Sequence, residues 1–371
     1  MRLVSVTGGT GFVGAATVAE IVRSGHRVRL LARDPDRVPA ALSPLGVDLA
    51  AVDVVRGDVT DETAVAVLVR GADAVLHAAS VYSFDSRAAE VMRATNARGT
   101  ELVLAAARAV DGPVVHVSSV GALFRHRPQP EDLLGPWSPV GDPRETYLAS
   151  KADAERVARS HQDQGAPVVI TYPPALLGPD DPYTGDQNAR LRDVLRGLMP
   201  MWPSGNLPIG DVRDTAAVHA AVLTASAPGT GGNRVFGPGT LLTTRQYLAV
   251  VRAVTDRALP TLFLPARAMF PVGRFTGLAQ RVWPWHIPAE FGALYVCATA
   301  VGTHPDAPTA GVAARPVEHT VRDTVRWLHR TGQLTDRQAG AVARSGAADP
   351  ATDGVTVPHT TEPLAIGKVI P

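Results

Sequence analysis

Two side chains in the middle of the chain have the types and the spacing that proton transfer needs. Tyr147 and Lys151 stand four residues apart in the segment Tyr-Leu-Ala-Ser-Lys. On a helix, positions four apart share one face, so the phenol and the ammonium point the same way. A free tyrosine has a pKa of about 10, too high for efficient proton transfer near neutrality. An adjacent ammonium stabilises the phenolate, so the pair predicts a general acid or base whose pKa Lys151 lowers.

Two serines earlier in the chain could complete such a site. Ser118 and Ser119 end the strand predicted at 113–118. At the carboxyl end of a strand, a hydroxyl can polarise the carbonyl of a substrate. Taken alone, a Tyr-x-x-x-Lys pair is usually only the surface of a helix. The hypothesis of a catalytic site therefore depends on the elements that position these residues.

The first of those elements lies at the start of the chain. Leu3 to Val6 is a short apolar run with β-branched residues, which predicts a buried strand. A helix from about Phe12 to Ser24 follows, and glycines stand between the two. Their spacing allows a tight turn, close approach of the backbone to a pyrophosphate and close packing of the helix on its strand. The alternative is a glycine-rich structural turn. The glycines are Gly8, Gly11 and Gly14.

Strand and helix patterns alternate through the first half of the chain. Such alternation implies a parallel sheet with helices on both faces, which is an α/β fold with a Rossmann-type doubly wound sheet. Cofactors bind these sheets beyond the carboxyl ends of the strands. The predicted strands are 3–6, 27–32, 50–55, 73–77, 113–118 and 167–171, and the predicted helices are 12–24, 61–70, 87–110 and 145–164.

After Pro173 the pattern loosens into short pieces. We predict a dinucleotide-binding domain over 1–174, to which 207–238 returns, and a smaller substrate-binding lobe over 175–206 and 239–335. The run from His319 to Arg330 predicts an amphipathic closing helix. Residues 345–371 predict a disordered tail. The short pieces are helical at 186–199, 214–226 and 243–256 and extended at 207–212 and 233–236.

Composition narrows the class of partner. The chain has 371 residues, with 36 Lys and Arg against 35 Asp and Glu, for a net charge of +1. That balance offers no general electrostatic case for nucleic acid or an acidic membrane surface. The single cysteine, Cys297, cannot form an intrachain disulfide, and its apolar neighbours predict a buried side chain. With neither a signal peptide nor a membrane-spanning stretch, we expect a cytoplasmic protein without a metal.

The end of the second predicted strand bears on which dinucleotide binds. An acidic residue there takes the ribose hydroxyls and favours NAD. Here the position is Ala32, and Arg33 follows. A guanidinium binds a 2′-phosphate in a fork geometry, so we predict NADP(H) rather than NAD(H). The alternative is that Arg33 is an ordinary surface arginine without a role in cofactor binding. Asp58 could accept from the adenine amino group, with Val59 lining its edge, or cap the next helix.

Together these segments resemble the extended short-chain dehydrogenase/reductase family, within the NAD-dependent epimerase/dehydratase superfamily. The resemblance covers about residues 1–335 and is strongest to the dihydroflavonol-4-reductase and 3β-hydroxysteroid dehydrogenase-like branch, which the ending at 315–328 supports. The segments that carry it are Thr7–Gly14, Gly57–Asp61, His77–Ser80, Asn96–Thr100, Val117–Ser119, Tyr147–Lys151, Tyr172–Pro179 and Asp211–Asp214.

The resemblance implies a role for each matching residue. Ser119, the second serine, matches the catalytic hydroxyl, and Ser118 is then a structural neighbour. Tyr147 matches the acid/base, and Lys151 lowers its pKa and holds the nicotinamide ribose. Asn96 matches a helix asparagine that in many members supports a proton-relay water or the active-site backbone.

The cofactor would contact a larger set of residues. The segment 77–80 would run along its ribose, and the two prolines would lie beside the nicotinamide carboxamide. His116, by contrast, reads as a satisfied core histidine. Besides Tyr147 and Lys151, the predicted contacts are Thr7, Gly8, Gly11, Phe12, Val13, Gly14, Arg33, Asp58, Val59, His77, Ala78, Ala79, Ser80, Pro173 and Pro174.

Two departures from the family narrow the reaction. Sugar-nucleotide dehydratases carry an Asp-Glu pair directly after the catalytic hydroxyl, where this chain has Val120 and Gly121. Many sugar-nucleotide members have Arg-Pro-x-Asn before a Gly-Pro, where this chain has the segment Tyr172–Ala175. Both departures disfavour sugar nucleotides as substrates.

We therefore predict an NADP(H)-dependent oxidoreductase that transfers a hydride between nicotinamide and a ketone or secondary alcohol of a hydrophobic small molecule. The rivals are an epimerase or isomerase that uses the cofactor transiently and a non-catalytic NADP-sensing protein. A homodimer through helices 87–110 and 145–164 is an expectation from the family. Apolar residues predicted to border the pocket, each of which could equally be core, are Val81, Tyr82, Phe84, Leu123, Phe124, Trp137, Met199, Met201 and Trp202.

Overall fold

The strands of this protein are short and mostly buried. A computed structural model describes residues 1–81, 92, 94–129, 132–225, 233–269 and 291–345. Its strands are β1 (Leu3–Thr7), β2 (Arg27–Ala32), β3 (Val52–Arg56), β4 (Ala74–His77), β5 (Val114–Val117), β6 (Leu133–Leu134), β7 (Val168–Tyr172), β8 (Ala175–Leu177), β9 (Met201–Ser204), β10 (Asn206–Asp211), β11 (Arg234–Phe236), β12 (Thr240–Thr243), β13 (Leu262–Pro265) and β14 (Gly302–Thr303).

Helices follow most of these strands. The α-helices of the described residues are α1 (Phe12–Arg23), α2 (Arg37–Leu42), α3 (Glu62–Val69), α4 (Gly99–Ala107), α5 (Thr146–Asp163), α6 (Asp186–Leu195), α7 (Val212–Thr224), α8 (Thr244–Thr255), α9 (Phe291–Thr299), α10 (Val317–Arg330), α11 (Asp336–Ala339) and α12 (Ala341–Arg344). Within the described part of the chain, no helix is both long and apolar enough to cross a bilayer.

Seven strands form the main sheet, in the order β11-β7-β5-β4-β1-β2-β3. Every neighbouring pair is parallel. The order of the strands reverses between β1 and β4, and such a point opens a crevice for a ligand at the carboxyl ends of the strands. The predicted α/β fold with a doubly wound sheet is confirmed.

Apolar side chains cover both faces of this sheet. One face packs on α1 and α7, through residues such as Val18 and Leu223, and the other packs on α3, α4 and α5, through residues such as Leu68 and Leu148. Because the strands are buried on both faces, they read as continuous apolar runs rather than as alternating patterns. That is why the sequence places most of them to within one or two residues.

A second core lies in the smaller lobe. It is built around the sheet β12-β10-β8 and the helices α6, α8 and α10. The predicted closing helix corresponds to α10, which buries Val321, Val325 and Leu328 on one side. Cys297 belongs to this core and is buried, as predicted.

One boundary prediction is wrong in part. The segment 207–238 was expected to return to the main sheet, and α7 and β11 do so: α7 packs on one face of that sheet, and β11 pairs with β7. However, β10 pairs with β8 and β12 in the second sheet. The edge of the main sheet beside β7 is already occupied by β11, so β10 has no partner there.

Two further segments differ from expectation. The helix predicted at 87–110 includes a π-helical turn at Ala94–Arg98 and then α4, while 82–91 and 93 lie outside the described residues. Helix α2 was not predicted. Of the predicted tail, 346–371 also lies outside the described residues.

Candidate active site

The turn after β1 brings three stretches of backbone together. Gly8 adopts a φ of +75°, and a Cβ atom on it would lie 2.5 Å from the Ala79 amide nitrogen. A Cβ atom on Gly14 would lie 2.1 Å from the carbonyl oxygen of Gly8. Only glycine fits at either position. The N-terminus of α1 therefore sits directly against the turn, with unpaired amides aimed at the crevice.

A buried polar chain lies behind this turn. The hydroxyl of Thr7 is 2.8 Å from Nδ1 of His77, and Nε2 of His77 is 3.0 Å from the hydroxyl of Thr100. The Ala79 amide donates to the Thr7 hydroxyl at 3.3 Å. Burial, with a smaller contribution from the charge of Lys151, lowers the pKa of His77 to about 3, so the ring is neutral. These side chains join β1, β4 and α4 rather than face a ligand.

A cavity of about 490 Å³ opens at the carboxyl edge of the main sheet. The residues predicted from sequence divide into two groups there. Those that line the cavity are Gly8, Gly11, Phe12, Val13, Gly14, Ala78, Ser80, Ser119, Tyr147, Lys151, Pro173 and Pro174. Those that do not line it are Thr7, Arg33, Asp58, Val59, His77, Ala79 and Asn96.

Tyr147 and Lys151 enter the cavity from the first turns of α5. The N-cap of this helix is Glu145, whose buried carboxylate accepts from the amides of Tyr147 at 3.0 Å and Leu148 at 2.9 Å. The Lys151 ammonium donates to the Val117 carbonyl at 3.3 Å. Burial lowers the pKa of Lys151 to about 8, although Glu155 acts in the opposite direction.

The pKa of Tyr147 differs from the prediction. Burial raises the pKa of Tyr147 above its usual value, and the charges of Glu145 and Asp186 raise it further. We predicted that Lys151 would lower it. The structure contradicts this because Lys151 is itself buried and bound to a backbone carbonyl, whereas burial and the charges of Glu145 and Asp186 all disfavour the phenolate. Tyr147 is therefore protonated at neutral pH, which suits a proton donor.

The two serines differ from each other in their hydrogen bonds. The Ser119 hydroxyl accepts from the Gly121 amide at 3.1 Å, as the N-cap of the turn at Val120–Leu123, and keeps its own proton to donate. Ser118 also lines the cavity, and its hydroxyl oxygen is buried without a hydrogen-bond partner among the described residues. No hydrogen bond supports the structural role expected for Ser118.

Asn96 does not line the cavity but supports the backbone beside it. Its side-chain oxygen accepts from the Val81 amide at 2.8 Å and the Ser80 hydroxyl at 3.1 Å. Its Nδ2 donates to the Ser150 hydroxyl at 3.0 Å. Asn96 therefore ties the chain after β4 to helix α5 and positions the backbone of the site.

Arg33 and Asp58 follow the carboxyl ends of β2 and β3. Arg33 Nε is 3.9 Å from Asp58 Oδ2, and the Arg33 side chain is 78% exposed. Burial acts to raise the pKa of Asp58, but hydrogen bonds from Thr60 and the charge of Arg33 outweigh it and lower the value. Asp61, not Asp58, caps α3. Val59 is buried against Gly99, where a Cβ atom would lie 2.9 Å from Val59 Cγ1.

The sequence did not predict the substrate-side wall of the cavity. Asp181 is the centre of this wall: its carboxylate accepts from the Tyr183 amide at 3.1 Å, the Gly185 amide at 2.8 Å and Asn188 Nδ2 at 2.9 Å. The sequence placed this stretch in the substrate-binding lobe and predicted a helix over 186–199, but it did not show which residues line the cavity. The residues of this wall are Asp181, Tyr183, Gly185, Asp186, Gln187 and Asn188.

Most of the predicted apolar border lies elsewhere. Phe124 lines the cavity, but Trp202 is buried in the core of the lobe, where it stacks on Tyr247 at 5.7 Å. Trp137 is exposed and meets the His304 ring edge-on. Val81, Leu123, Met199 and Met201 do not line the cavity. Tyr82 and Phe84 lie outside the described residues.

His116 is a core residue, but it is not satisfied. Neither ring nitrogen has a hydrogen-bond partner among the described residues, and the ring stacks on His77 at 5.5 Å. Burial holds the pKa of His116 well below its usual value, and His77 and Lys151 add to the effect. In the described part of the chain, no group of His, Cys, Asp and Glu could hold a metal ion.

The geometry joins a dinucleotide-type crevice to a buried Tyr-Lys-Ser set. A model of the NAD dependent epimerase/dehydratase family matches residues 4–236, more than half of the chain. The chain belongs to this family. The resemblance predicted from the sequence motifs is thereby confirmed, and this family member is an enzyme of the extended short-chain dehydrogenase/reductase superfamily.

Relatives carry reductase names. The chain is 33% identical over 215 residues to a putative dihydroflavonol 4-reductase of a Synechocystis species, a match that covers 58% of this chain and 61% of that one. The match therefore spans less than two thirds of the length of that reductase. It is 29% identical to the 2-alkyl-3-oxoalkanoate reductase of Stenotrophomonas maltophilia, over 75% of this chain and 82% of that one.

Solved structures share the fold. The UDP-glucose 4-epimerase of Bifidobacterium longum, in complex with NAD+ and UDP, superposes with a TM-score of 0.67 at 17% identity, over 89% of this chain and 99% of that one. At this identity the likeness concerns the fold alone.

Proposed function

We propose that this protein is an NADP(H)-dependent reductase or dehydrogenase that interconverts a ketone and a secondary alcohol of a hydrophobic small molecule. The observation that carries the proposal is that Tyr147, Lys151 and Ser119 line the same cavity as the glycine turn. The names of the relatives, several of which are ketone reductases, support it.

The residues present fit a dinucleotide. The turn at Gly8 and Gly14 leaves no room for a Cβ atom, so the backbone amides at the start of α1 can approach a pyrophosphate. Lys151 would hold the nicotinamide ribose, and Pro173 and Pro174 would lie beside the carboxamide. When bound, the cofactor supplies or accepts the hydride.

The choice of NADP rests on Arg33. Its guanidinium is exposed just after β2, and among the described residues its ion-pair partner is Asp58, at 3.9 Å. An ion pair this long and exposed is weak. A 2′-phosphate could therefore bind Arg33 in place of Asp58 at little cost in interaction energy.

The proton chemistry belongs to Tyr147. In reduction, the phenol donates its proton to the carbonyl oxygen as that oxygen gains negative charge, and in oxidation the phenolate takes it back. The Ser119 hydroxyl donates a hydrogen bond to the same oxygen and polarises the carbonyl.

The first test is oxidation of NADPH and NADH, in parallel, with a panel of hydrophobic ketones. We expect NADPH consumption that Tyr147→Phe lowers by about a thousandfold, because positioned proton transfer contributes roughly 10²–10⁴-fold, while cofactor affinity is unchanged. Arg33→Ala should raise the Kd for NADPH about tenfold and leave that for NADH unchanged.

Two results would contradict the proposal. Turnover that survives Tyr147→Phe would remove Tyr147 from the reaction. Tightly retained NAD with no net consumption of either cofactor would instead favour an epimerase or isomerase.

A further inference from the structure

A buried carboxylate that the proposed reaction does not use lies on α5, one turn after Lys151. Glu155 is 0% exposed. Its Oε1 accepts a hydrogen bond from the Tyr172 hydroxyl at 2.6 Å and another from Nε of Arg159 at 2.8 Å. The Arg159 guanidinium also donates to the Tyr172 oxygen at 3.4 Å. Because Glu155 and Arg159 belong to α5 and Tyr172 ends β7, these side chains form a polar cluster that joins the helix to the end of the strand.

Stability alone does not account for this cluster. Glu155 Oε2 is buried with no hydrogen-bond partner among the described residues. Removing a charge from water costs free energy, and a single guanidinium leaves one of the two carboxylate oxygens unsatisfied. Well-packed apolar side chains of similar volume are often as stable as a buried ion pair. What a polar cluster adds is a fixed geometry, because hydrogen bonds are directional and apolar contacts are not.

Both elements that the cluster joins contribute residues to the cavity. Helix α5 brings Tyr147 and Lys151 into it. Tyr172 is followed directly by Pro173 and Pro174, which also line it. In the proposed function those prolines lie beside the nicotinamide. Their distance from the proton donor therefore depends on how α5 packs on the end of β7.

The two prolines are also held by neighbouring backbone. The Pro173 carbonyl accepts from the Val120 amide at 3.1 Å. A Cβ atom on Gly210 would lie 2.5 Å from Pro174 Cγ, so the backbone at Gly210 packs directly on that ring. Loss of the hydrogen bond at the Tyr172 hydroxyl would therefore loosen this segment from α5 rather than from the backbone on which the prolines pack.

We propose that Glu155 is a positioning residue that holds the end of β7, and with it the nicotinamide end of the cofactor, in place relative to α5. The inference rests on the function proposed above and adds to it three residues that do not line the cavity, Glu155, Arg159 and Tyr172. Loss of the cluster should weaken the hold on the nicotinamide. The pyrophosphate, which the glycine turn would bind, should be unaffected.

Two ligands that differ only in the nicotinamide test the proposal by binding alone. They are NADP+ and ADP-ribose 2′-phosphate, each titrated into the full chain by calorimetry. The ratio of their Kd values measures the contribution of the nicotinamide, and we expect the wild type to bind NADP+ about tenfold more tightly. In Glu155→Ala the two Kd values should lie within about twofold of each other, through weaker binding of NADP+ alone. Glu155→Gln keeps an acceptor for the Tyr172 hydroxyl, so it should restore part of the ratio.

A second variant removes the other partner of the same hydrogen bond. Tyr172→Phe loses the hydroxyl but keeps the ring that stacks on Phe236 at 4.8 Å. It should lower the ratio as Glu155→Ala does. Combined in one chain, the two substitutions should lower it no further, because both act through one contact. In turnover, kcat should fall about tenfold in each variant, since a displaced nicotinamide is poorly aligned with the carbonyl.

Two further variants are matched controls. Asp153→Asn also converts a carboxylate on α5 to a carboxamide, but Asp153 pairs with Arg156 at 2.7 Å, and both side chains are about half exposed. Tyr247→Phe removes a hydroxyl from a tyrosine that is buried in the core of the smaller lobe. Neither residue belongs to the cluster, so both variants should keep the wild-type ratio.

Three outcomes would overturn the proposal. The first is a wild type that binds the two ligands equally, and the second is a wild-type ratio in Tyr172→Phe, which decides the question even where Glu155→Ala fails to fold. The third is equal weakening of both ligands, which would assign Glu155 a purely structural role. Failure of the reductase function would show separately, as NADPH that is bound but not consumed in a Tyr147-dependent way.

Discussion

The two walls of the cavity are held in place in different ways. On the cofactor wall, backbone packs on backbone, and a Cβ atom on Gly14 would lie 2.1 Å from the Gly8 carbonyl oxygen. On the substrate wall, side chains hold the loop at 178–188, with Asp181 accepting from two amides and from Asn188. The first arrangement depends on residue types a few positions apart, and the second depends on a network.

The substrate wall also depends on distant contacts. Asp180 pairs with Arg330 at 3.2 Å, and the Thr184 hydroxyl donates to Gln333 at 3.1 Å. Asp180 and Thr184 both adopt positive φ, at 58° and 47°, which costs a non-glycine residue on the order of 1 kcal/mol. The neighbourhood of α10 therefore keeps this loop in a conformation that its own residues do not favour.

The same substitution should have a large effect on one wall and almost none on the other. Gly14→Ala forces a methyl group into a backbone oxygen, so we expect a loss of about 3 kcal/mol in the free energy of unfolding together with loss of cofactor binding. Gly185→Ala places its methyl 3.5 Å from Asp181 Oδ2, at ordinary contact distance, and should change stability by less than about 0.5 kcal/mol. Chemical denaturation and NADPH titration measure both effects. Equal losses of stability and of NADPH binding in the two variants would show that the two walls are not held in different ways.

The next largest effect should come from the centre of the substrate wall. Asp181→Ala leaves two amides and Asn188 Nδ2 without their acceptor, which should cost about 2 kcal/mol of stability. The KM for the ketone should rise while the Kd for NADPH is unchanged, because the glycine turn is not touched. Asp193→Ala removes an ion pair with a neighbouring residue and should change neither quantity. A matching rise in the Kd for NADPH would show that the walls are coupled.

A third effect is a pH dependence on the cofactor side. The pKa of Lys151 is lowered by burial to about 8 from 10.5. Between these values the unfolded chain binds more protons than the folded one, so the free energy of unfolding gains a contribution that rises with pH over this window. Lys151→Met should lack that contribution. Denaturant midpoints at pH 8 and pH 10 give the change in the free energy of unfolding with pH for the wild type and for Lys151→Met. If that change is the same in both proteins, the Lys151 ammonium is in contact with water and its pKa is not lowered.

Local patterns were sufficient for most elements in the first half of the chain. The run before Gly8, the glycine spacing and the apolar strands each predict their element without reference to distant residues, and β2 was predicted at its observed bounds, Arg27–Ala32. Tyr147 and Lys151 share a helix, so their proximity follows from spacing alone. Helix α2 has no comparable signal and was missed, since it is short and lies just after a Pro-containing turn.

Other features depend on what lies next to a residue in space. Trp202 and Phe124 are both large and apolar, yet one is buried in the lobe and the other lines the cavity. The pKa of Tyr147 was predicted from Lys151 on its own helix, whereas burial and two carboxylates, one of them on α6, decide its direction. Strand β10 is apolar enough for either sheet, and occupancy of the main sheet's edge by β11 decides between them.

The sequence by itself determined the order of elements, the glycine turn and the Tyr-Lys pair, because each depends on backbone geometry over a few residues. Only the tertiary structure decided which loop closes the substrate side and which charges face the Tyr147 phenol. Burial and Coulomb interactions depend on which atoms are close in space, and Asp186 and Tyr147 come to line one cavity only in the folded chain.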